Sequence, residues 1–392
     1  MIEFKNVDVV FGKQPSRAIA LLDKGVSRGE ILQRTGLTTA VRNASLSVAK
    51  GEICVLMGLS GSGKSSLLRT ANGLNPITRG EVCLETDQGM QNFLALDEAE
   101  KRKVRMERIT MVFQKFALMP WLTVAQNVAF GLEQKGMERG LIRERVMHQL
   151  ELVGLTEWAT KRPSELSGGM QQRVGLARAL AMETDIILMD EPFSALDPLI
   201  RNQLQDELLR LQEQLRKTVV FVSHDLDEAL KLGNHIAIMK EGEIVQHDTP
   251  ENIVLNPADD YVRDFVAHTN PVDVVKAKAL LRPLSALKVL ENEYCLSQRH
   301  SYWLKLGEAP LKSSVRYGNQ KHALQYWSPD KPIDVLLKQP TLVHINTLMK
   351  AVMEIRYHTG HGVLVEDQNK IVGYIGDKDI YHAMLGKLFE ED

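Results

Sequence analysis

The chain has 392 residues, of which 44% are hydrophobic and 25% charged, and 48 basic side chains nearly balance 50 acidic ones to give a net charge of −2. This composition is typical of a soluble globular protein and excludes a disordered or collagen-like chain. The length favours more than one domain. The near-neutral charge argues against a dedicated binder of nucleic acid or anionic lipid.

The cysteines and the N-terminus indicate the cellular compartment. Cys54, Cys83 and Cys295 are too few and too scattered for a disulfide framework or a cysteine-based zinc site. The first residues alternate between polar and apolar types, so we expect no signal peptide. No apolar run approaches the ~18–20 residues that span a bilayer. We therefore expect a protein of the reducing cytosol that could serve a membrane only as a peripheral subunit.

The first predicted elements are a strand and a helical insert. Residues 3–11 alternate and are rich in Val, Phe and Ile, which predicts a strand. The insert over 12–40 contains a helix pair, and in its second helix Ser27 and Glu30 form a capping box before a stop at Gly36. A helix pair is also found in DNA-reading proteins, but this one interrupts two strands and the chain has no net positive charge.

Three apolar runs further along the chain each end at polar residues. The runs 53–57, 186–189 and 219–222 are rich in aliphatic residues, as in strands buried on both faces. Their alternation with helical segments predicts an α/β fold with a mostly parallel sheet. The stretch from about 115 to 180 is mainly helical and predicts a separate lobe.

The first of these runs leads into a predicted phosphate-binding loop. Residues 58–65, Gly-Leu-Ser-Gly-Ser-Gly-Lys-Ser, match the P-loop pattern between a strand and a helix. Backbone N–H groups of such a loop face phosphates, Lys64 supplies a point charge to the β- and γ-phosphate oxygens, and the Ser65 hydroxyl is a ligand for Mg²⁺. The candidate nucleotide-binding residues are Gly58, Ser60, Gly61, Ser62, Gly63, Lys64, Ser65 and Ser66.

Two carboxylates follow the second run. Asp190 and Glu191 fall at the carboxyl end of a predicted strand, where doubly wound sheets bind their ligands. We expect Asp190 to hold Mg²⁺ through water and Glu191 to orient or deprotonate the attacking water. Strands also end in merely solvated acids, and it is the preceding P-loop that favours the catalytic interpretation.

A second glycine-containing helix start lies at 166–172, Leu-Ser-Gly-Gly-Met-Gln-Gln. Together with Gln114, the segment Ser194-Ala-Leu-Asp197 and His224, this order of motifs resembles the ATP-binding-cassette (ABC) ATPases over residues 1 to about 265. The resemblance implies a P-loop NTPase cassette with a parallel core sheet, an antiparallel β subdomain and a helical lobe.

The resemblance also implies a dimer. Two subunits would close head to tail around two ATP molecules, each held between the P-loop of one chain and Ser167, Gly168 and Gly169 of the other. Gln171 belongs to the same signature motif, and Asp197 would bridge the two chains.

The family assigns further roles around the nucleotide. Gln114 would approach Mg²⁺ and the water, and His224 would contact the γ-phosphate and Glu191. Phe11 would stack on adenine with Val41 as a second base contact, although Phe11 also suits a core position. The implied catalytic residues are Glu191, His224 and Gln114, and the implied Mg²⁺ ligands are Ser65, Gln114 and Asp190.

The insert indicates the type of transporter. Residues 12–40 are absent from a generic cassette and resemble an insert in the ATPase subunits of glycine betaine, proline and choline importers, as do segments 57–65 and 265–271. The resemblance implies Mg²⁺-dependent ATP hydrolysis that energises import of a quaternary amine, choline or glycine betaine. The implied partners are a second copy, transmembrane permease subunits and, indirectly, a periplasmic substrate-binding protein, with no nucleic acid.

The implied location is peripheral, on the cytoplasmic face of a bacterial inner membrane. Residues 115–124, which include Trp121, either receive a coupling helix from the membrane subunit or pack within the helical lobe. Three other interpretations stay open. One is an importer of another small amine or amino acid, such as proline or methionine, and another is a soluble cassette ATPase that acts on ribosomes or DNA. In the third, the C-terminal part is the main functional element, a nucleotide-sensing module that regulates the ATPase.

The composition changes near the end of the cassette. We predict a cassette over 1–267, a poorly patterned connecting region over 268–331 and a small α/β module over 332–392. The module resembles one half of the paired cystathionine-β-synthase-type (CBS) modules with which relatives sense adenine nucleotides or ionic strength. In it, Asp379 is either a ribose contact or a helix cap.

Overall fold

The structure, a computed structural model, describes residues 1–86, 89–267, 269–297 and 301–384. The chain divides into two compact units, Met1–Thr249 and Pro250–Asp392. His268 of the segment 265–271 and residues 385–392 of the predicted C-terminal module lie outside the described residues.

Two sheets organise the first unit. Its described strands are β1 (Ile2–Phe11), β2 (Thr38–Val48), β3 (Ile53–Met57), β4 (Arg79–Thr86), β5 (Gly89–Asn92), β6 (Ile109–Val112), β7 (Ile186–Asp190), β8 (Thr218–Val222), β9 (His235–Lys240) and β10 (Glu243–Asp248). One sheet has the order β10-β9-β3-β8-β7-β6 and is parallel except for β10. The other, β2-β1-β4-β5, is antiparallel. The predicted parallel core sheet and antiparallel subdomain are confirmed.

Helices surround these sheets. They are α1 (Ser16–Leu22), α2 (Arg28–Thr35), α3 (Lys64–Leu68), α4 (Glu98–Glu107), α5 (Val124–Gln134), α6 (Arg139–Leu152), α7 (Gly168–Ala181), α8 (Pro198–Leu215) and α9 (Leu226–Leu232). In the insert, the Ser27 side chain accepts a hydrogen bond from the Glu30 N–H, and Gly36 ends α2 in the left-handed conformation, as predicted. Helices α5, α6 and α7 pack together as the predicted helical lobe.

The central strands β3, β7 and β8 are buried on both faces. Every residue of β3, β7 and β8 is buried, because helices or the antiparallel sheet cover both faces. Leu56, Leu188 and Val222 of these strands share one core with Phe4 of β1 and Leu67 of α3. Burial of such side chains stabilises the fold by ~1.5–3 kcal/mol each. The loops that leave the carboxyl ends of β3 and β7 therefore start from a rigid base.

The second unit contains two further sheets. Its described elements are α10 (Pro250–Leu255), α11 (Asp260–Val266), α12 (Ala277–Leu280), β11 (Arg282–Pro283), β12 (Val289–Leu290), β13 (Glu293–Ser297), β14 (Tyr302–Lys305), β15 (Ser314–Tyr317), β16 (Gln320–Ala323), β17 (Gln325–Tyr326), β18 (Thr341–His344), α13 (Met349–Thr359), β19 (Val363–Asp367), β20 (Lys370–Ile375) and α14 (Asp377–Met384). The sheet orders are β11-β20-β19-β18-β17 and β12-β13-β14-β15-β16.

The region 268–331, which lacks a clear sequence pattern, contains the antiparallel sheet β12–β16. Its strands are two to five residues long, so apolar alternation is too brief to stand out. Leu304 and Val315 share a core with Leu364 and Ile371 of the neighbouring sheet. The sheet is thus an integral layer of the second unit.

The other face of the β18–β20 sheet is covered by helices. Val343 and Val363 share a core with Val352 of α13 and Ile380 of α14. From β18 to α14 the elements follow in the order strand–helix–strand–strand–helix, an α/β arrangement as predicted for this module. Helices α10 and α11, which the sequence pattern assigns to the cassette, belong to the second compact unit. No helix among the described residues is both long and apolar enough to cross a bilayer.

Candidate nucleotide-binding site

The loop after β3 can be built only with glycine at two points. Gly58 has a φ of +138°, and a Cβ there would lie 2.1 Å from the Met239 carbonyl oxygen. Gly63 has a φ of +104°, and a Cβ there would lie 2.3 Å from the Ala40 carbonyl oxygen. The loop is therefore pressed against neighbouring backbone on two sides, which fixes its course into α3.

Lys64, the first residue of α3, folds back over this loop. Its ammonium group donates hydrogen bonds to the carbonyl oxygens of Gly58 at 2.7 Å and Leu59 at 3.0 Å. Burial lowers the pKa of Lys64, while the nearby carboxylates of Glu191 and Asp190 act in the opposite direction. A cation partly removed from water at this point interacts more strongly with an arriving phosphate than a solvated one would.

Asp190 lies at the end of β7 and is fully buried. One of its oxygens accepts a hydrogen bond from the Ser65 hydroxyl at 2.7 Å, and the other accepts one from the Arg69 guanidinium at 2.8 Å. A buried carboxylate needs such partners because its desolvation is costly. The P-loop and the carboxyl end of β7 are thereby joined directly, and Arg69 is a member of the site that sequence reasoning did not identify.

Glu191 follows in a strained backbone conformation and faces two other predicted residues. Its φ is +50°, and its N–H donates to the Val222 carbonyl at 3.1 Å. The Gln114 amide donates to the Glu191 carboxylate at 3.0 Å, and Nδ1 of His224 lies 3.7 Å from the same oxygen. Strained residues of this kind concentrate at functional sites.

These groups surround one open cavity. It has a volume of about 510 Å³ and is lined by Ser60, Gly61, Gly63, Lys64, Ser65, Ser66, Gln114, Glu191 and His224. Residues from four distant stretches of the chain are therefore brought to one place. The arrangement offers a cation and a glycine loop on one side and a carboxylate on the other, which suits hydrolysis of a phosphate ester or anhydride.

A second residue that sequence reasoning did not identify binds the backbone of Glu191. Gln172 of α7 is 2% exposed. Its amide nitrogen donates to the Glu191 carbonyl at 3.1 Å, and its amide oxygen accepts from the Ala195 N–H at 3.1 Å. The loop after Glu191 is thus tied to the helix that begins at the signature motif. A polar residue in a helix gives no sequence signal that separates this buried role from a solvated one.

Three predicted nucleotide contacts have different surroundings. Phe11 is 39% exposed at the end of β1, where it pairs with Thr38, so it is not a core residue. The side chain of Val41 is fully buried in the core between the sheets, so it presents no surface to a base. The Ser62 side chain is also buried, and the residue contributes a carbonyl that accepts from the Gly242 N–H at 3.0 Å.

The signature residues lie outside the P-loop cavity of this single chain. Ser167 caps α7 by accepting from the Met170 N–H at 3.3 Å, and Gly168 is exposed beside it while Gly169 is half-buried. Asp197 is exposed and caps α8. Gln171 turns back to the loop before the motif and donates to the Pro163 carbonyl at 3.0 Å. The exposure of Ser167, Gly168 and Asp197 leaves this surface accessible.

The helical lobe presents a separate groove. It lies between α5 and α6, has a volume of about 710 Å³ and includes Ala129, Met137, Ile142, Val146 and Met147 in its lining. Trp121, in the loop before α5, is 67% exposed. The segment 115–124 therefore presents its tryptophan to solvent, which favours a docking role over internal packing.

Asp379 has no access to a ligand. It is 2% exposed, accepts a hydrogen bond from the Gly376 N–H at 2.6 Å and forms an ion pair with Arg282 at 3.0 Å. Burial raises the pKa of this carboxyl group, and the Gly376 N–H and Arg282 oppose that effect. The geometry agrees with a helix cap and not with a ribose contact.

The combination of a P-loop, paired carboxylates and a glycine-containing signature helix on a mixed sheet defines an ATPase of the ATP-binding-cassette class. A family model described as "ABC transporter" matches residues 41–194. The dimeric structure of the ATP-binding cassette MJ0796, in a post-hydrolysis state bound to ADP and Pi, superposes with a TM-score of 0.54 at 34% identity, covering 64% of this chain and 99% of that one.

Curated relatives match over a greater length. The glycine betaine/proline betaine transport system ATP-binding protein ProV of Salmonella typhimurium is 42% identical over 98% of this chain and 97% of its own length. The glycine betaine transport ATP-binding protein OpuAA of Bacillus subtilis is 45% identical over 74% of this chain and 68% of its own. The chain therefore belongs to the family of ABC transporter ATP-binding subunits and is an ATPase of that family.

Proposed function

We propose that this chain hydrolyses ATP to energise import of a quaternary amine, glycine betaine or choline, through a membrane permease. The observation that carries the chemistry is the single cavity in which Lys64, Ser65, Gln114, Glu191 and His224 meet. The cargo is proposed from the full-length similarity to a protein named for glycine betaine and proline betaine transport. The helical insert α1–α2 supports the same assignment.

The residues divide the chemistry between binding and proton transfer. The P-loop backbone and Lys64 bind the β- and γ-phosphates, and Phe11 stacks on the adenine. Glu191 accepts the proton of the water that attacks the γ-phosphorus, the bond to the β–γ bridging oxygen breaks, and ADP and inorganic phosphate leave. Gln114 and His224 position the Glu191 carboxylate and contact the water and the γ-phosphate, respectively.

The oxygens of Ser65 and Asp190 suit a magnesium ion. They lie 2.7 Å apart, and the Gln114 amide adds a third hard oxygen of the kind that Mg²⁺ prefers. Bound Mg²⁺ neutralises charge that develops on the phosphate oxygens. Arg69 holds Asp190 in position, because its guanidinium group pairs with the second oxygen of that carboxylate.

The working form is a head-to-tail homodimer on a permease at the cytoplasmic face of a bacterial inner membrane. The exposed surface formed by Ser167, Gly168 and Asp197 lies outside the chain's own cavity and is free to complete the site of a second copy. The α5–α6 groove and the exposed Trp121 receive the permease. A periplasmic binding protein that delivers cargo to the permease completes the system.

The C-terminal unit is proposed as a regulatory module. The order β18-α13-β19-β20-α14 supports a CBS-like half. Asp379 is buried and its carboxylate is paired with Arg282, which leaves it without a ligand-binding role. A regulatory ligand would therefore use other residues of the unit.

Replacement of the proposed base tests the catalytic assignment. Glu191→Gln keeps the size and the hydrogen-bonding shape of the side chain but removes its basicity, so hydrolysis should fall about 10²–10⁴-fold while ATP-bound dimers accumulate. The matched control is Glu157→Gln, which removes one exposed carboxylate from the helical lobe. Hydrolysis by Glu191→Gln at the rate of the control would refute the role of Glu191.

Uptake measurements test the cargo separately. A strain that lacks this chain should lose uptake of radiolabelled glycine betaine or choline and regain it with the wild-type chain but not with Glu191→Gln. Unchanged uptake of both compounds, with intact ATPase activity of the purified protein, would reject the cargo and leave the enzymatic assignment standing.

A further inference from the structure

Three potential metal ligands meet at the edge of the six-stranded sheet. Glu52, His235 and His247 each present one ligating atom, and these atoms all lie within 4.8 Å of one another. The Glu52 carboxylate lies 2.5 Å from Nδ1 of His235, and the two imidazole ring centroids are 5.3 Å apart. Glu52 and His235 are 183 positions apart in the sequence, so only the fold brings them together.

The cluster is remote from the ATP site. Glu52 directly precedes β3, His235 begins β9, and the P-loop leaves the opposite end of β3. Five residues of strand separate the two ends by roughly 16 Å. A metal ion here would therefore be distinct from any Mg²⁺ that accompanies ATP.

The side chains are already oriented by their surroundings. Glu52 is 8% exposed, and its second oxygen accepts from the Ala49 N–H at 2.7 Å. Neutral imidazole is a common metal ligand, and two imidazoles meet this carboxylate.

The donor set points to a divalent transition metal. Two imidazoles and one carboxylate are the protein ligands of open zinc sites and of non-haem iron sites, in which further positions hold water. Ligands of one tetrahedral Zn²⁺ lie about 3.3 Å apart, given metal–ligand distances of about 2.0–2.1 Å. Small rotations of the two histidine side chains would widen the 2.5 Å separation of Glu52 and His235 and shorten the longer ones, which do not exceed 4.8 Å, toward that value.

We propose that Glu52, His235 and His247 form a binding site for a divalent transition metal ion, Zn²⁺ being the probe. The ion joins the end of β10 to β3 and β9. Because Pro250, the first residue of the second unit, follows three residues after His247, the ion anchors the chain where it leaves the cassette sheet.

The test uses the full-length chain without an affinity tag, stripped with EDTA and free of nucleotide. Zn²⁺ is titrated in competition with a chromogenic chelator. We expect one Zn²⁺ per chain, and affinity at least about tenfold weaker in His235→Ala and His247→Ala, since even outer-shell changes cost that much. Co²⁺ should give the visible absorption of a four-coordinate nitrogen and oxygen site without a thiolate band. The control is His148→Ala, an exposed histidine of α6.

A stability measurement keeps the test decisive if a variant folds poorly. Zn²⁺ should raise the melting temperature of the wild-type chain and of His148→Ala but not of His247→Gln or Glu52→Gln, because only a native-state ligand stabilises the fold. Equal Zn²⁺ binding by the wild type and both histidine variants would mean an adventitious ion only. That result, or a wild-type chain that retains no Zn²⁺, would overturn the proposal.

Discussion

Gln172→Met would show whether the buried amide behind the active site holds Glu191 in its productive position. Methionine has a similar length and volume but neither donates to the Glu191 carbonyl nor accepts from the Ala195 N–H, the two hydrogen bonds that Gln172 makes at 3.1 Å each. Because the Gln172 side chain does not line the P-loop cavity, the substitution leaves every proposed ATP contact in place.

The structure limits the size of the effect. A buried polar group that loses its partner costs ~1–3 kcal/mol. The Glu191 carbonyl keeps a hydrogen bond from the Ser194 hydroxyl at 3.2 Å, and Ala195 is exposed, so water can replace part of the loss. We therefore expect the free energy of unfolding to fall by about 1–2 kcal/mol. The ATPase kcat should fall about 10- to 100-fold, since small displacements of a positioned group have effects of that size, while KM for ATP should change little.

Urea unfolding and steady-state ATPase measurements on the same preparations provide the assay. The matched control is Gln149→Met, because Gln149 is a buried glutamine of the same lobe whose amide oxygen lacks a hydrogen-bond partner. That change removes an unsatisfied acceptor and should leave stability equal or slightly higher. Equal stability and kcat for Gln172→Met and the control would refute the argument that Gln172 positions Glu191.

Two other predictions concern the P-loop. Because burial lowers the pKa of Lys64 below the ordinary lysine value of 10.5, the folded protein loses this proton first as pH rises. Apparent ATP affinity should therefore fall, and this group's contribution to fold stability should rise, in the window between the lowered pKa and 10.5. KM measured against pH checks this, and an equal alkaline rise in Lys64→Arg, which stays charged, would contradict it. Arg28 of the insert donates to the Gly61 carbonyl at 3.3 Å, so Arg28→Ala should raise KM for ATP about two- to fivefold, the effect of one weak exposed hydrogen bond. Arg17→Ala removes the same charge from an exposed position in α1, and an equal KM change in both variants would show that the contact is irrelevant.

The predictable part of the site is the part encoded in contiguous residues. The P-loop and the pair Asp190–Glu191 carry their chemistry in adjacent positions, and the buried runs before them indicate where the chain reaches the edge of the sheet. Val41 shows the limit of such reasoning, because an apolar residue early in a strand suits either a base contact or the core, and only the packing of the antiparallel sheet against β3 decides for the core. The sheet β12–β16 shows another limit, since its strands are too short to reveal a period.

Polar residues that act through tertiary contacts are the hardest to predict. Gln172 and Arg69 lie within helical segments, where a polar side chain is usually solvated, and their partners Glu191 and Asp190 belong to another element. Glu52, His235 and His247 are an extreme case, because their meeting depends on the strand order β10-β9-β3, which places the start of β3 next to the start of β9 and the end of β10. It follows that a parallel sheet can carry two independent sites on one strand. The carboxyl end of β3 leads into the P-loop. The amino end of β3 is preceded by Glu52, which supplies a carboxylate to the proposed metal site, and no contiguous sequence motif indicates that site.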